Sequence, residues 1–129
     1  MNDLDHARSL LEMARSDFKA ITNMMDPALF DDGIFGFHAQ QAVEKSLKAW
    51  IAALGARFPK THDISELIGV LESHSESIGE DALTLVCLYP FAVQYRYESI
   101  DTEDEPLNRK ETLQSVSSLL RRVARFLEP

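Results

Sequence analysis

Four stretches of this chain place apolar side chains three or four residues apart, and that spacing decides what it can fold into. Leu4, Ala7, Leu11, Ala14, Phe18, Ile21 and Met25 make one such line. A helix turns by about 100° per residue, so these seven share one stripe. Leu113, Val116, Leu120, Val123 and Leu127 make another near the far end. Between them, residues 33–55 gather Ala39, Val43, Leu47, Trp50 and Leu54 on one side, with Phe35, Ala42 and Ile51 at its margins. Residues 80–97 align Leu85, Leu88, Ala92 and Tyr95. No strand pattern competes with these helices.

The punctuation agrees with the periodicity. Asn2 or Asp3 suits an N-cap for the first helix, and Asp26-Pro27 a stop. Gly55 suits a C-terminal cap for the second. Residues 56–61, with Pro59, form a connector. Asp63 with Glu66 then makes a capping pair opening a shorter helix to about residue 72, whose apolar face is Ile64, Leu67, Ile68 and Leu71. Pro90 removes a backbone donor inside the fourth segment, which predicts a kink or short break there. Asn108 and Glu111 open the last helix as another capping pair. A lone amphipathic helix cannot hide its stripe, and each buried Leu, Ile or Phe is worth about 1.5–3 kcal/mol once a neighbour covers it. The expected fold is therefore all-α: a single domain over residues 1–129, an antiparallel up-and-down four-helix bundle with one short additional helix.

Composition narrows the function classes. The chain has 129 residues, 45% hydrophobic and 26% charged, which is the make-up of an ordinary globular domain rather than a disordered chain. Its single Cys, Cys87, has no intrachain partner for a disulfide. The formal charge of −8 opposes nonspecific binding to nucleic acid and to acidic membranes unless basic groups are gathered on one face. The N-terminus starts acidic, without the apolar run of a secretory signal. The most apolar stretch, residues 82–93, is too short for a bilayer and is interrupted by Thr84 and Pro90. A cytoplasmic location is expected.

Several constellations are candidates for chemistry. His38, Gln41, Lys45 and Lys48 gather opposite the apolar side of the second helix. Two ammonium groups one turn apart, an amide and an imidazole could hold a phosphate or nucleotide; the plainer reading is a solvated back face. The four histidines are scattered and form no zinc-type cluster, so no metal is expected, and no cofactor is implied. Cys87 falls in an apolar helix and reads as a buried, inert thiol. Glu98, Asp101, Glu103, Asp104 and Glu105 read as a solvated acidic loop, able to meet a basic partner. Tyr89, Phe91, Tyr95 and Tyr97 surround Arg96 and could stack a base, although core packing is the ordinary reading. Arg121, Arg122 and Arg125 lie away from the last helix's apolar stripe. They could form a basic patch; complementing the helix dipole is the simpler explanation.

Three ordered motifs carry a resemblance. The run Phe37-His38-Ala39-Gln40-Gln41-Ala42-Val43-Glu44-Lys45-Ser46-Leu47-Lys48-Ala49 resembles the HEPN family. Pro59-Lys60-Thr61-His62-Asp63-Ile64 is similar to its P-x-T-H-D-L connector. Ala92-Val93-Gln94-Tyr95-Arg96-Tyr97 is similar to its A-V-x-x-R-Y-P signature, with Glu98 in place of the final Pro. The resemblance implies a helical bundle, often a homodimer, that binds nucleotides or works beside a minimal nucleotidyltransferase, some such pairs acting as toxin and antitoxin. It also extends to the C-terminal helical domain of kanamycin nucleotidyltransferase. The ligand-binding set it implies is His38, Gln41, Lys45 and Lys48, with His62, Arg96 and Tyr97. Some HEPN proteins are metal-independent ribonucleases whose motif is an Arg followed closely by a His. Arg96 matches the Arg, but the last histidine of this chain is His74. Arg57 and His62 reproduce the spacing only in the connector. RNA cleavage without a metal needs a group to move the 2′-hydroxyl proton, for which a histidine is suited. The expectation is a non-catalytic module that binds a nucleotide or a nucleotidyltransferase partner. The alternative is a ribonuclease toxin with a diverged site centred on Arg96, the one reading that brings in RNA.

Overall fold

The computed structural model describes residues 3–93 and 106–128. Within them the chain forms α1 (Asp3–Thr22), α2 (Asp32–Ala53), α3 (Ile64–Ser73), a single 3₁₀ turn (Gly79–Asp81), α4 (Ala82–Val86), α5 (Tyr89–Val93) and α6 (Arg109–Leu127), and no strand. α1 stops four residues before Asp26, where Thr22 and Asn23 turn their side chains back onto the carbonyl of Lys19.

Side-chain pairs fix the topology. Asp17, late in α1, meets His38 and Lys45 in the first half of α2, while His6, early in α1, packs on Phe58 just beyond α2. Those two helices are therefore antiparallel. Arg109 at the start of α6 contacts Phe35 at the start of α2, and Arg122 near its end lies over Trp50, so α2 and α6 run parallel. The remaining leg runs against α6, since Ile78 meets Arg122, Asp81 meets Ser115 and Thr84 meets Glu111. This is the up-and-down bundle, with α3 as the extra helix packed on α2 and α4.

α2 is its central rod. Fourteen of its 22 residues are buried, against α1, α3, α5 and α6. Asp31 caps it by accepting from the Ile34 N–H. It ends as the glycine spacing predicts: Gly55 takes φ 75°, its N–H reaches the Ala52 carbonyl, and the next N–H, of Ala56, reaches back to Ile51. Asp63 and Asn108 cap α3 and α6 by accepting from Ser65 and Glu111. The other side of α2 holds Gly36 so close to α5 that a Cβ would overlap the ring of Phe91.

The expected break in the fourth leg falls at Cys87-Leu88, between α4 and α5. Pro90 then sits in the first turn of α5, where a missing N–H costs nothing. The break also corrects the reading of Cys87. As the cap of α4 it faces outward and is exposed, because the buried stripe passes through Leu85, Leu88 and Ala92 and leaves position 87 off it.

Candidate functional site

The motif helix and its connector build a closed polar lattice. Glu44 is nearly buried, with 7% of its side chain exposed. Its two oxygens take three partners. Oε2 accepts from the Lys48 ammonium at 2.8 Å, and Oε1 accepts from the Gln40 amide at 3.0 Å and pairs with His62 Nδ1 at 3.0 Å. Gln40 donates also to the backbone carbonyl of His62, and its own oxygen accepts from Gln41. The connector is thereby held onto α2 through one residue's ring and carbonyl. Lys48 further lies 5.5 Å from the centre of the Phe58 ring, on that same connector. One turn back, Asp17 of α1 holds Lys45 at 2.7 Å on one oxygen and His38 Nδ1 at 3.1 Å on the other. A carboxylate only accepts, so each imidazole presents an N–H on Nδ1.

Burial alone pushes the Glu44 carboxyl up. The hydrogen bonds from Lys48, Gln40 and His62 outweigh it and hold the group below the ordinary carboxylate range. Glu44 is thus an ionised hub.

This arrangement corrects the picture of lysines left facing water. Lys45 and Lys48 do not converge on a common anion; each has its own carboxylate, and only 21% and 14% of their side chains are exposed. The wheel drawn from one helix could not show Asp17, which comes from α1. Glu44, in contrast, stands four residues before Lys48 and four after Gln40, a spacing that was legible. Arg96, Tyr97 and the acidic loop lie outside the described residues.

A second polar cluster gave no sequence signal. Arg109 reads as one basic residue among five on α6, yet it is 7% exposed. Its guanidinium donates to the carbonyls of Met24 and Phe30 and, at 3.0 Å, to Asp32, while lying over the ring of Phe35. The other Asp32 oxygen accepts from the Leu107 N–H. This clamp seats the start of α6 on the α1–α2 junction.

The HEPN domain model matches residues 7–129, nearly the whole chain. The chain belongs to the HEPN family. No curated protein and no solved structure matches it. In this HEPN chain the family-like motif serves to tie α1, α2 and the connector together. Among the described residues no group of three or more potential metal ligands comes together, and no helix is long and apolar enough to cross a membrane.

Proposed function

We propose that this HEPN protein acts by binding rather than by catalysis, as the helical partner of a minimal nucleotidyltransferase, in a pair of the toxin–antitoxin kind. The observation that carries this reading is the state of the motif's polar groups. His38 and His62 each commit Nδ1 to a carboxylate that also holds a lysine. A nucleotide at His38, Gln41, Lys45 and Lys48 would have to displace Asp17 and Glu44, so the geometry favours the partner-binding half of the expectation. No histidine follows Arg96 in the chain to complete a ribonuclease pair.

A homodimer belongs to the same proposal. On α4 and α5 the chain turns Leu83 and Tyr89 outward, 76% and 39% exposed, and Cys87 and Pro90 are exposed as well. Apolar side chains gathered on an outward face support an interface. We infer a cytoplasmic setting from the lone cysteine, Cys87, which has no disulfide partner in the sequence.

Light scattering of the full chain tests the dimer, and co-purification with a minimal nucleotidyltransferase, sought in the neighbouring reading frame, tests the partner. A twofold mass that Leu83→Asp lowers to the monomer, together with a stable complex, is expected. RNA cleavage by the purified chain, lost in Arg96→Ala, would overturn the non-catalytic reading.

A further inference from the structure

The outward side of α6 is a cationic face whose charges the fold leaves largely uncompensated among the described residues. The helix carries Arg109, Lys110, Arg121, Arg122 and Arg125 against Glu111 alone, in a chain of net charge −8. Arg109 is consumed by its buried clamp. Arg121 and Arg125 are exposed and, among the described residues, have no carboxylate partner.

Those arginines converge on a hollow. A cavity of about 350 Å³ opens between α6 and the 3₁₀ turn, walled by Ile78, Asp81, Ser118, Arg121, Arg122 and Arg125. Arg122 is already posed: its guanidinium lies 4.8 Å over the Trp50 ring and donates to the Ile78 carbonyl at 3.3 Å. Stacking fixes the plane of the fork and lowers the entropy lost when its remaining N–H groups meet a ligand. Asp81 is turned toward Ser115, whose hydroxyl donates to it at 2.9 Å. Three guanidinium groups facing one carboxylate leave a surplus of positive charge larger than a single carboxylate ligand would neutralise.

We propose that this hollow binds the phosphate groups of a small phosphorylated molecule, held by Arg121, Arg122 and Arg125 with the Ser118 hydroxyl as a further donor. Planar guanidinium forks match phosphate oxygens two at a time. The cavity falls at the small end of the range for small-molecule sites, about 300–1,000 Å³. The helix dipole explains a basic residue in the last turn, where Arg125 stands, but not the grouping of Ser118, Arg121 and Arg122 around one opening. A second hollow of about 420 Å³ shares Ser118 and Arg121 and continues past Phe18, Leu113, Gln114 and Ser117. Two apolar side chains beside an amide and a hydroxyl offer room for an organic group attached to the phosphates. The proposal is independent of the partner reading, which rests on the α2 motif, and of the dimer, which concerns α4 and α5.

Trp50 is the only tryptophan of the chain and touches Arg122, so its fluorescence reports on the hollow directly. The test titrates inorganic pyrophosphate, and separately ATP, into the full chain at moderate salt, following Trp50 emission and calorimetric heat. A saturable response is expected, weakened at least about tenfold in the Arg121→Ala/Arg125→Ala double variant, because charge-assisted hydrogen bonds are lost. Lys110→Ala removes a charge from the same helix outside the hollow and leaves binding unchanged. Equal affinity for both probes supports recognition of the phosphates alone. Tighter binding of ATP supports it with the second hollow taking the organic part. Absence of saturation by either probe, binding that survives in the double variant, or a response given by RNA alone would overturn the proposal.

Discussion

α2 and α6 both carry cationic side chains on a polar face, and the fold treats the two faces in opposite ways. On α2 each lysine meets a carboxylate: Glu44 from its own helix, Asp17 from the helix beside it. On α6 the acids at hand are engaged otherwise, Asp81 with Ser115, Glu111 with Thr84 and Glu128 with Arg15. Arg121 and Arg125 therefore meet no carboxylate among the described residues. Residue type does not decide whether a cation is part of the scaffold or of a site; the reach of the nearest carboxylate does.

The comparison is broken most severely at the buried clamp. Arg109→Met removes the ion pair with Asp32, only 10% of whose side chain is exposed, and takes the Arg109 donor from the carbonyls of Met24 and Phe30. Removing one partner of a buried pair costs about 3–5 kcal/mol. Urea unfolding should show a loss of that order, and a loss below about 1 kcal/mol would mean that the clamp contributes no more than a surface pair. The α2 lattice comes next. Glu44→Gln keeps the shape but removes the charge that Lys48 and His62 share, and should cost about 1–3 kcal/mol by the same measurement. Lys48→Met in that background should add less than it costs alone, because the two residues form one network.

Acid offers a reversible way to make the same cut. The folded Glu44 carboxyl lies below its ordinary value of 4.5. A lowered folded value means that the ionised lattice stabilises fully above that ordinary value. The contribution is then lost as the pH falls through the lower, folded one. Urea midpoints measured downward from neutral pH should therefore fall more steeply for the wild type than for Glu44→Gln, whose amide does not titrate. Parallel acid limbs would show that Glu44 is not the hub.

Much of this architecture was legible from spacing. The three-and-four pattern found α1, α2, α3 and α6, because a helix that buries one stripe advertises it, and the caps at Asp63, Asn108 and Gly55 follow from backbone geometry that few residues satisfy. Pro90 announced the break, although not that Cys87 would face outward from it. The site was less legible. Periodicity describes one helix at a time, so Lys45 looked solvated until α1 delivered Asp17 from 28 positions away in the chain. Arg109 was hidden for the same reason, since its partners Met24, Phe30 and Asp32 come from the other end of the sequence. The Glu44–Lys48 pair was readable within α2 itself.

The smallest expected effect is the most telling for α6. Arg121→Ala and Arg125→Ala remove exposed charges that hold nothing among the described residues, so each should change stability by no more than about 0.5 kcal/mol. A stabilising change is reasonable, because separating three guanidinium groups relieves repulsion around the hollow, and that relief should shrink as salt screens it. If instead either variant unfolds as early as Glu44→Gln, its guanidinium is bound within the fold after all. The two faces would then be alike, and α6 would have no charge to offer a ligand. Near-silence in stability joined to a clear loss of pyrophosphate binding is the combination that separates a site from a scaffold.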